Sequence, residues 1–132
     1  MNIRQQASEL LRSLPDSGVL IDIHEGRVIP CLTDYYLQPL PEEWNSPPPL
    51  DLVGGRTLIP AFKDGDSYSI YCIEPQTGRI FDIDIEAPWP PDRVFESCLD
   101  FKTYLFQIVT EEKPDEVKNQ LRAFLEITGS QP

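Results

Sequence analysis

Two short apolar segments on either side of Pro75-Gln76-Thr77-Gly78 constrain the fold more than any other feature of this chain. Residues 68–74 and 79–85 are rich in Ile, Tyr and Phe, and a four-residue loop containing glycine joins them, which is typical of a β-hairpin. The loop length also predicts the register of the two strands. The expected pairs are Glu74 with Arg79, Cys72 with Phe81, Ile70 with Ile83 and Tyr68 with Ile85. Because these side chains are mostly apolar, we predict that they form the core face of the hairpin.

The opposite face of the hairpin is predicted to be the wetter one. Alternation along the strand places Asp82, Asp84 and Glu86 on this face together with Tyr71, with about 6.6 Å between successive acidic positions. Three interpretations are open: a solvated sheet face, a docking surface for basic side chains of a protein partner, and a Mg²⁺ or Mn²⁺ site. The spacing disfavours the metal, since the ligands of such an ion lie about 2.1 Å from it.

Apolar residues at helical spacing occur before and after the predicted strands. The first helix is expected at about residues 2–14, because Pro15 ends its apolar pattern. A second is expected after the N-cap residue Ser97, and a third from Pro114, a tolerated first-turn position. The order of one helix, several strands and two helices predicts a single α+β domain over residues 1–132, with the helices packed on one face of an antiparallel sheet.

The remaining segments are harder to interpret. Residues 19–23 and 27–29 are β-branched runs, and His24-Glu25-Gly26 between them predicts a second hairpin. Residues 57–62 are interpreted as a strand in which Pro60 marks an edge position or a bulge. The proline-rich region of about residues 39–56 is expected to have little regular structure.

Composition and charge exclude several classes of protein. The chain has 22 acidic and 11 basic residues, a net charge of −11, so neither nucleic-acid phosphates nor anionic membranes are expected partners. A partner with a basic surface fits this charge. No secretory signal or long apolar run is visible, and the cysteines, Cys31, Cys72 and Cys98, form no Cys-x-x-Cys motif. We therefore expect a cytoplasmic protein with reduced thiols and no cofactor.

The central part of the chain resembles the core of the SUKH superfamily over residues 57–106. The resemblance is carried by Leu58-Ile59-Pro60-Ala61-Phe62, by Asp64-Gly65-Asp66, by residues 68–73 and 77–84, and by Ser97-Cys98-Leu99-Asp100-Phe101. It implies an α+β fold without enzymatic activity. Bacterial members of that superfamily are immunity proteins that neutralise toxins, often nucleases, whereas fungal members act as regulators or scaffolds.

These observations together predict a non-enzymatic protein-binding domain, and the resemblance implies an immunity or inhibitor protein. The expected partner site consists of Asp82, Asp84 and Glu86 with three aromatic residues, Tyr71, Trp44 and Trp89; the two tryptophans lie in proline-rich segments and act either as interface anchors or as lids over the sheet. A regulatory or scaffolding module is the alternative, and a metal-dependent hydrolase is the third hypothesis. Nucleophilic catalysis is disfavoured because His24 is the only histidine and no nucleophile elbow is present.

Overall fold

A computed structural model describes residues 2–42, 47–48, 50–65 and 67–126. These residues form four α-helices, one 3₁₀-helix and a five-stranded antiparallel sheet, which confirms the α+β class. In chain order the elements are α1 Ile3–Ser13, α2 Gly18–His24, β1 Gln38–Pro39, the 3₁₀-helix Leu50–Leu52, β2 Ile59–Lys63, β3 Ser69–Ile73, β4 Ile80–Asp84, β5 Arg93–Phe95, α3 Cys98–Thr110 and α4 Asp115–Phe124. Among the described residues, no helix combines the length and the hydropathy that a membrane crossing requires.

The strands lie side by side in sequence order, from β1 to β5. The register predicted for β3 and β4 is confirmed, with Ile70 opposite Ile83 and Cys72 opposite Phe81. The interpretation of Pro60 is confirmed as well, because the pairing of β2 with β3 shifts between Pro60 and Phe62. The sequence analysis missed β1 and β5, since two or three residues are too few to show a periodicity.

Three of the four helices agree with the sequence pattern. In α1, the side chain of Asn2 accepts from the Gln5 backbone N–H at 2.8 Å and so caps the first turn. In α3, the Ser97 hydroxyl accepts from the Asp100 N–H at 3.1 Å. Proline removes a donor that a helix start cannot use, and α4 accordingly begins directly after Pro114.

The prediction of a hairpin over residues 19–29 is wrong, because this segment contains helix α2. Val19, Leu20 and Ile23 are all buried in the largest hydrophobic cluster of the molecule. Their spacing of three and four residues places them on one side of a helix, and burial of that side outweighs the weak preference of Val and Ile for strands. His24 is therefore the buried last residue of a helix rather than part of a turn.

Both faces of the sheet are covered, which reverses the predicted core and wet faces of the hairpin. The face of Tyr71, Ile73 and Ile80 packs against the four helices and forms the larger core. The face of Cys72 and Phe81 is covered by a smaller cluster that includes Ile3, Leu40, Val53 and Leu58. The alternation was correct, but it could not show which face the helices cover, because residues outside the hairpin decide this.

Glu74 and Arg79 flank the hairpin loop, where the Glu74 N–H donates to the Arg79 carbonyl at 2.9 Å. Their side chains do not form the predicted cross-strand pair. The buried Glu74 carboxylate instead accepts from Arg56 and from Thr77, each at 2.7 Å, while Arg79 pairs with Glu96 at 3.0 Å. Glu74 thus joins the segment before β2 to the hairpin.

Candidate functional site: the acidic end of the sheet

The sequence analysis placed six residues in one exposed site, and the structure describes five of them in different environments. Asp82 and Tyr71 are buried, Asp84 is half-buried, and Glu86 is exposed just beyond the end of β4. Trp89 is partly exposed, and Trp44 lies outside the described residues. The prediction that all three carboxylates are exposed is therefore wrong for Asp82, because the face of the sheet that Asp82 occupies is the one that the helices cover.

Backbone contacts nevertheless bring five acidic residues to one end of the sheet. The Asp64 N–H donates to the carbonyl of Ser69, and Ser69 lies opposite Asp84 in the sheet. The Asp92 N–H donates to the Asp82 carbonyl at 2.8 Å. The Glu86 N–H donates to Oδ1 of Asp84 at 2.8 Å. We call these residues the acidic end: Asp64, Asp82, Asp84, Glu86 and Asp92.

The sequence analysis missed Asp64 and Asp92 as site residues. Asp64 was named only within the segment Asp64-Gly65-Asp66, and Asp92 precedes a strand that was not predicted. Both residues reach the acidic end only because β2 and β5 pack beside the hairpin, so no local sequence pattern could predict that they belong to the site. The alternating acids of β4 were the one available signal.

Two cationic side chains lie at the acidic end: the Lys63 ammonium group donates to the Asp64 carbonyl at 2.8 Å, and the charge of Arg93 lowers the pKa of Asp82. The four ion pairs of the described residues are Arg12–Glu25, Arg27–Asp22, Arg56–Glu74 and Arg79–Glu96. None of them includes Asp82, Asp84, Glu86 or Asp92. Arg93 lies opposite Asp82 in the register, but its guanidinium carbon sits 4.9 Å above the centre of the Tyr104 ring. Asp82, Asp84, Glu86 and Asp92 thus have no ion-pair partner among the described residues.

Asp82 has the most perturbed environment of these acids. Its side chain is only 6% exposed, and Oδ1 is buried without a hydrogen-bond partner. Burial raises the pKa of the carboxyl group to about 6, with a further increase from the nearby Asp92 and Asp64, while a hydrogen bond with Ser69 and the charge of Arg93 oppose this increase. Asp82 is therefore a buried carboxylate of which one oxygen, Oδ1, has no hydrogen-bond partner among the described residues.

Tyr71 lies directly opposite Asp82 on the neighbouring strand. It lies between Phe62 and Asp82 in the sheet register, and its ring centre is 4.9 Å from that of Phe101 in α3. Burial raises the pKa of the phenol, and the charge of Asp82 adds to this effect. The Tyr71 ring is buried in the larger core, so a partner could not contact it.

Two other tyrosines have their backbones near the acidic end and are exposed. Tyr68 precedes β3, is 65% exposed, and accepts a hydrogen bond from the Ile85 N–H through its carbonyl. Tyr35 is exposed as well, and its carbonyl lies 2.6 Å from the position that a Cβ on Gly65 would occupy. Hot spots of interfaces are enriched in tyrosine, so these residues are better contact candidates than Tyr71.

Trp89 lies on the other face of the sheet, over the smaller core. Its ring stacks on Phe81 with the ring centres 6.3 Å apart. It also packs so closely on Gly54 that a Cβ there would lie 2.6 Å from the indole. Because 38% of Trp89 is still exposed, this side chain acts as a lid whose outer surface faces solvent.

The groups that nucleophilic catalysis would use are engaged elsewhere. Burial raises the pKa of Cys98 to about 11 and that of Cys72 further still, which disfavours a reactive thiolate. Both ring nitrogens of His24 face backbone carbonyls, that of Ala61 at 3.0 Å and that of Arg4 at 3.1 Å. In the part of the chain that the structure describes, no group of three or more His, Cys, Asp or Glu side chains is arranged to hold a metal ion.

Comparison with known proteins gives no family assignment. No family model, no curated protein and no solved structure matches the chain.

Proposed function

We propose that this chain is a non-enzymatic protein-binding domain that docks on a basic surface of its partner through the acidic end. The observation that carries the proposal is that, within the part of the chain that the structure describes, Asp82, Asp84, Glu86 and Asp92 have no ion-pair partner. Like charges held together by backbone contacts repel one another, and a basic surface would relieve that repulsion. Tyr68 and Tyr35 would supply apolar contact area beside these charges.

Charge and aromatic contacts would contribute to different steps of binding. The net charge of −11 would speed the approach of a basic partner, and salt would slow that approach. Burial of the tyrosine rings would instead lengthen the lifetime of the complex. A partner that used only the acids would bind fast and dissociate fast.

The resemblance to the SUKH superfamily supports a finer proposal, namely that the partner is a toxin domain and that the chain is its inhibitor or immunity protein. A regulatory or scaffolding module is the second candidate. Both candidates use the same surface, but only an inhibitor abolishes the activity of what it binds. Co-expression with the toxin domain encoded by the adjacent gene would separate the two, since only an inhibitor restores growth.

The surface is tested with a matched pair of triple variants. Asp84→Asn, Glu86→Gln and Asp92→Asn remove three charges from the acidic end, and Asn at position 84 keeps the acceptor for the Glu86 N–H. The control carries Glu9→Gln, Glu111→Gln and Glu116→Gln, which remove the same charge from exposed positions on helices or helix ends.

Proteins captured from the source cell at low and high salt are compared for the wild type and both variants. We expect a basic partner that the wild type and the control retain at low salt and that the acidic-end variant loses. A partner held equally by both variants would show that net charge alone is responsible. Capture that does not depend on salt would contradict the electrostatic part of the proposal.

A further inference from the structure

We propose that an apolar cavity between Leu52 and the hairpin binds one leucine side chain of the basic partner. This inference rests on the proposed function, and it names the residue that the partner would place next to the acidic end. Charge would bring the partner to this region, whereas the cavity would distinguish a segment that carries leucine from one that carries only lysine or arginine.

The cavity lies on the face of the sheet that carries Cys72 and Phe81, beside the smaller core. Its floor consists of side chains from the two strands of the hairpin and the residue after them: Ile70, Cys72, Ile83 and Ile85. Its walls are Pro48, Leu52 and Pro88. Burial raises the pKa of the Cys72 thiol and so keeps it uncharged. The whole lining is therefore apolar.

A side chain of another molecule can reach this cavity. Leu52 is 48% exposed, and Pro48, Ile85 and Pro88 are each partly exposed. The walls thus extend to the surface of the protein, while the floor belongs to the buried smaller core. The cavity is an opening in the cover of that core and not a closed void.

The size and the lining of the cavity select an aliphatic occupant. A dry apolar cavity of about 150 Å³ accepts a molecule the size of benzene. The present cavity has a volume of about 130 Å³, which suits a branched aliphatic side chain and is too small for an indole. A polar side chain would lose its hydrogen bonds to water here, because the apolar lining cannot replace them.

The charges beside the cavity indicate that the leucine lies in a basic segment. Ile85 lines the cavity and stands between Asp84 and Glu86 in the chain. Neither of these two acids has an ion-pair partner in the part of the chain that the structure describes. A lysine or arginine next to the leucine would therefore meet the acidic end when the leucine enters the cavity.

A second copy of this chain fits the cavity less well than a basic partner does. Each copy carries a net charge of −11, and each has the acidic end beside its own cavity. Two copies that met at this surface would bring like charges together, and the resulting repulsion opposes association.

The probes are three capped tripeptides: acetyl-Lys-Leu-Lys-amide, acetyl-Lys-Ala-Lys-amide and acetyl-Gln-Leu-Gln-amide. Each is titrated while the methyl shifts of Ile70, Ile83 and Ile85 are followed by NMR. We expect saturable binding of the Lys-Leu-Lys peptide, about tenfold tighter than that of the Lys-Ala-Lys peptide, because leucine buries three more carbon atoms. The Gln-Leu-Gln peptide should bind in the same cavity more weakly, and salt should not change its affinity.

Three variants complete the test. Leu52→Ala removes one wall and should weaken binding of the Lys-Leu-Lys peptide about threefold or more. Its matched control is Leu99→Ala, which truncates a leucine of similar exposure, 40%, on α3 and should leave binding unchanged. Cys72→Met extends a side chain from the floor into the cavity and should abolish binding.

Equal binding of the Leu and Ala peptides to the wild type would overturn the inference, as would binding that neither Leu52→Ala nor Cys72→Met weakens. A wild-type dimer that Cys72→Met converts to a monomer in sedimentation would show that a second copy occupies the cavity, and this result would overturn the inference as well. Because the wild-type peptide series needs no variant, the test stands even where a substitution disturbs folding.

The outcomes also separate this inference from the proposed function. A basic partner that the triple acidic-end variant loses but that Leu52→Ala and Cys72→Met retain would leave the proposed function intact and refute the leucine site. Binding of both leucine peptides in the cavity without any captured basic partner would support the leucine site and contradict the proposed function.

Discussion

Replacing Asp82 with Asn should make the protein more stable at neutral pH, although it removes a residue of the candidate site. The pKa of Asp82 is about 6 in the folded protein and about 3.9 for an unperturbed Asp. At about 1.36 kcal/mol for each pH unit, the buried charge costs about 3 kcal/mol once the group is ionised. Asn keeps the acceptor for Ser69 and removes the charge.

The stabilisation by Asp82→Asn should depend on pH. Between pH 4 and pH 6 the folded state holds a proton on Asp82 that the unfolded state has lost, so this group lowers stability as the pH rises through that range. The advantage of Asp82→Asn should therefore be close to zero at pH 4 and reach about 3 kcal/mol above pH 6.

Urea denaturation of the wild type and of Asp82→Asn at several values between pH 4 and pH 8 would measure this difference. Glu9→Gln removes the same charge from an exposed position on α1 and should change stability by less than about 0.5 kcal/mol at every pH. An Asp82→Asn protein less stable than the wild type at pH 7, or a difference that does not vary with pH, would refute the argument that this carboxylate is unsatisfied.

Three further predictions concern the supports of the fold. Glu74→Gln should cost about 1–2 kcal/mol at pH 7. Burial raises the pKa of Glu74, but hydrogen bonds from Thr77 and Arg56, together with the charges of Arg56 and Arg79, outweigh this effect and lower the pKa, so urea titrations should show the cost disappearing in acid. Arg79→Gln, in an exposed pair, should change little. Gly54→Ala should cost more than the strain of a left-handed backbone, about 1–2 kcal/mol, because the added Cβ displaces Trp89. Tryptophan fluorescence in a Trp44→Phe background should report the displacement of Trp89. Gly55→Ala, whose added Cβ would meet open space, should leave the emission unchanged. His24→Leu should cost about 1 kcal/mol, because the ring N–H of one tautomer donates to the carbonyl of either Ala61 or Arg4. No loss in thermal unfolding would show that this hydrogen bond contributes little.

The local sequence was sufficient to predict an element where all the residues that determine it lie within one short segment. The register of β3 and β4 followed from the loop length and the alternation, and the bulge at Pro60 followed from the missing N–H of proline. The starts of α3 and α4 followed from the hydroxyl of Ser97 and from Pro114. Helix α2 was missed because Val19, Leu20 and Ile23 suit a strand as well as a helix, and only burial against the rest of the core decides between the two.

The sequence by itself determined the α+β class, the hairpin, three of the helices and the excess of negative charge, because each depends on spacing or composition within a short segment. Only the tertiary structure decided which face of the hairpin the helices cover, and with it the burial of Asp82 and Tyr71. It also decided that Asp64 and Asp92 join the acids of β4, because β2 and β5 take their places beside the hairpin through long-range packing. Burial and the proximity of charge are properties of the whole fold, so a residue pattern can propose an acidic site but cannot show which of its carboxylates is left unsatisfied.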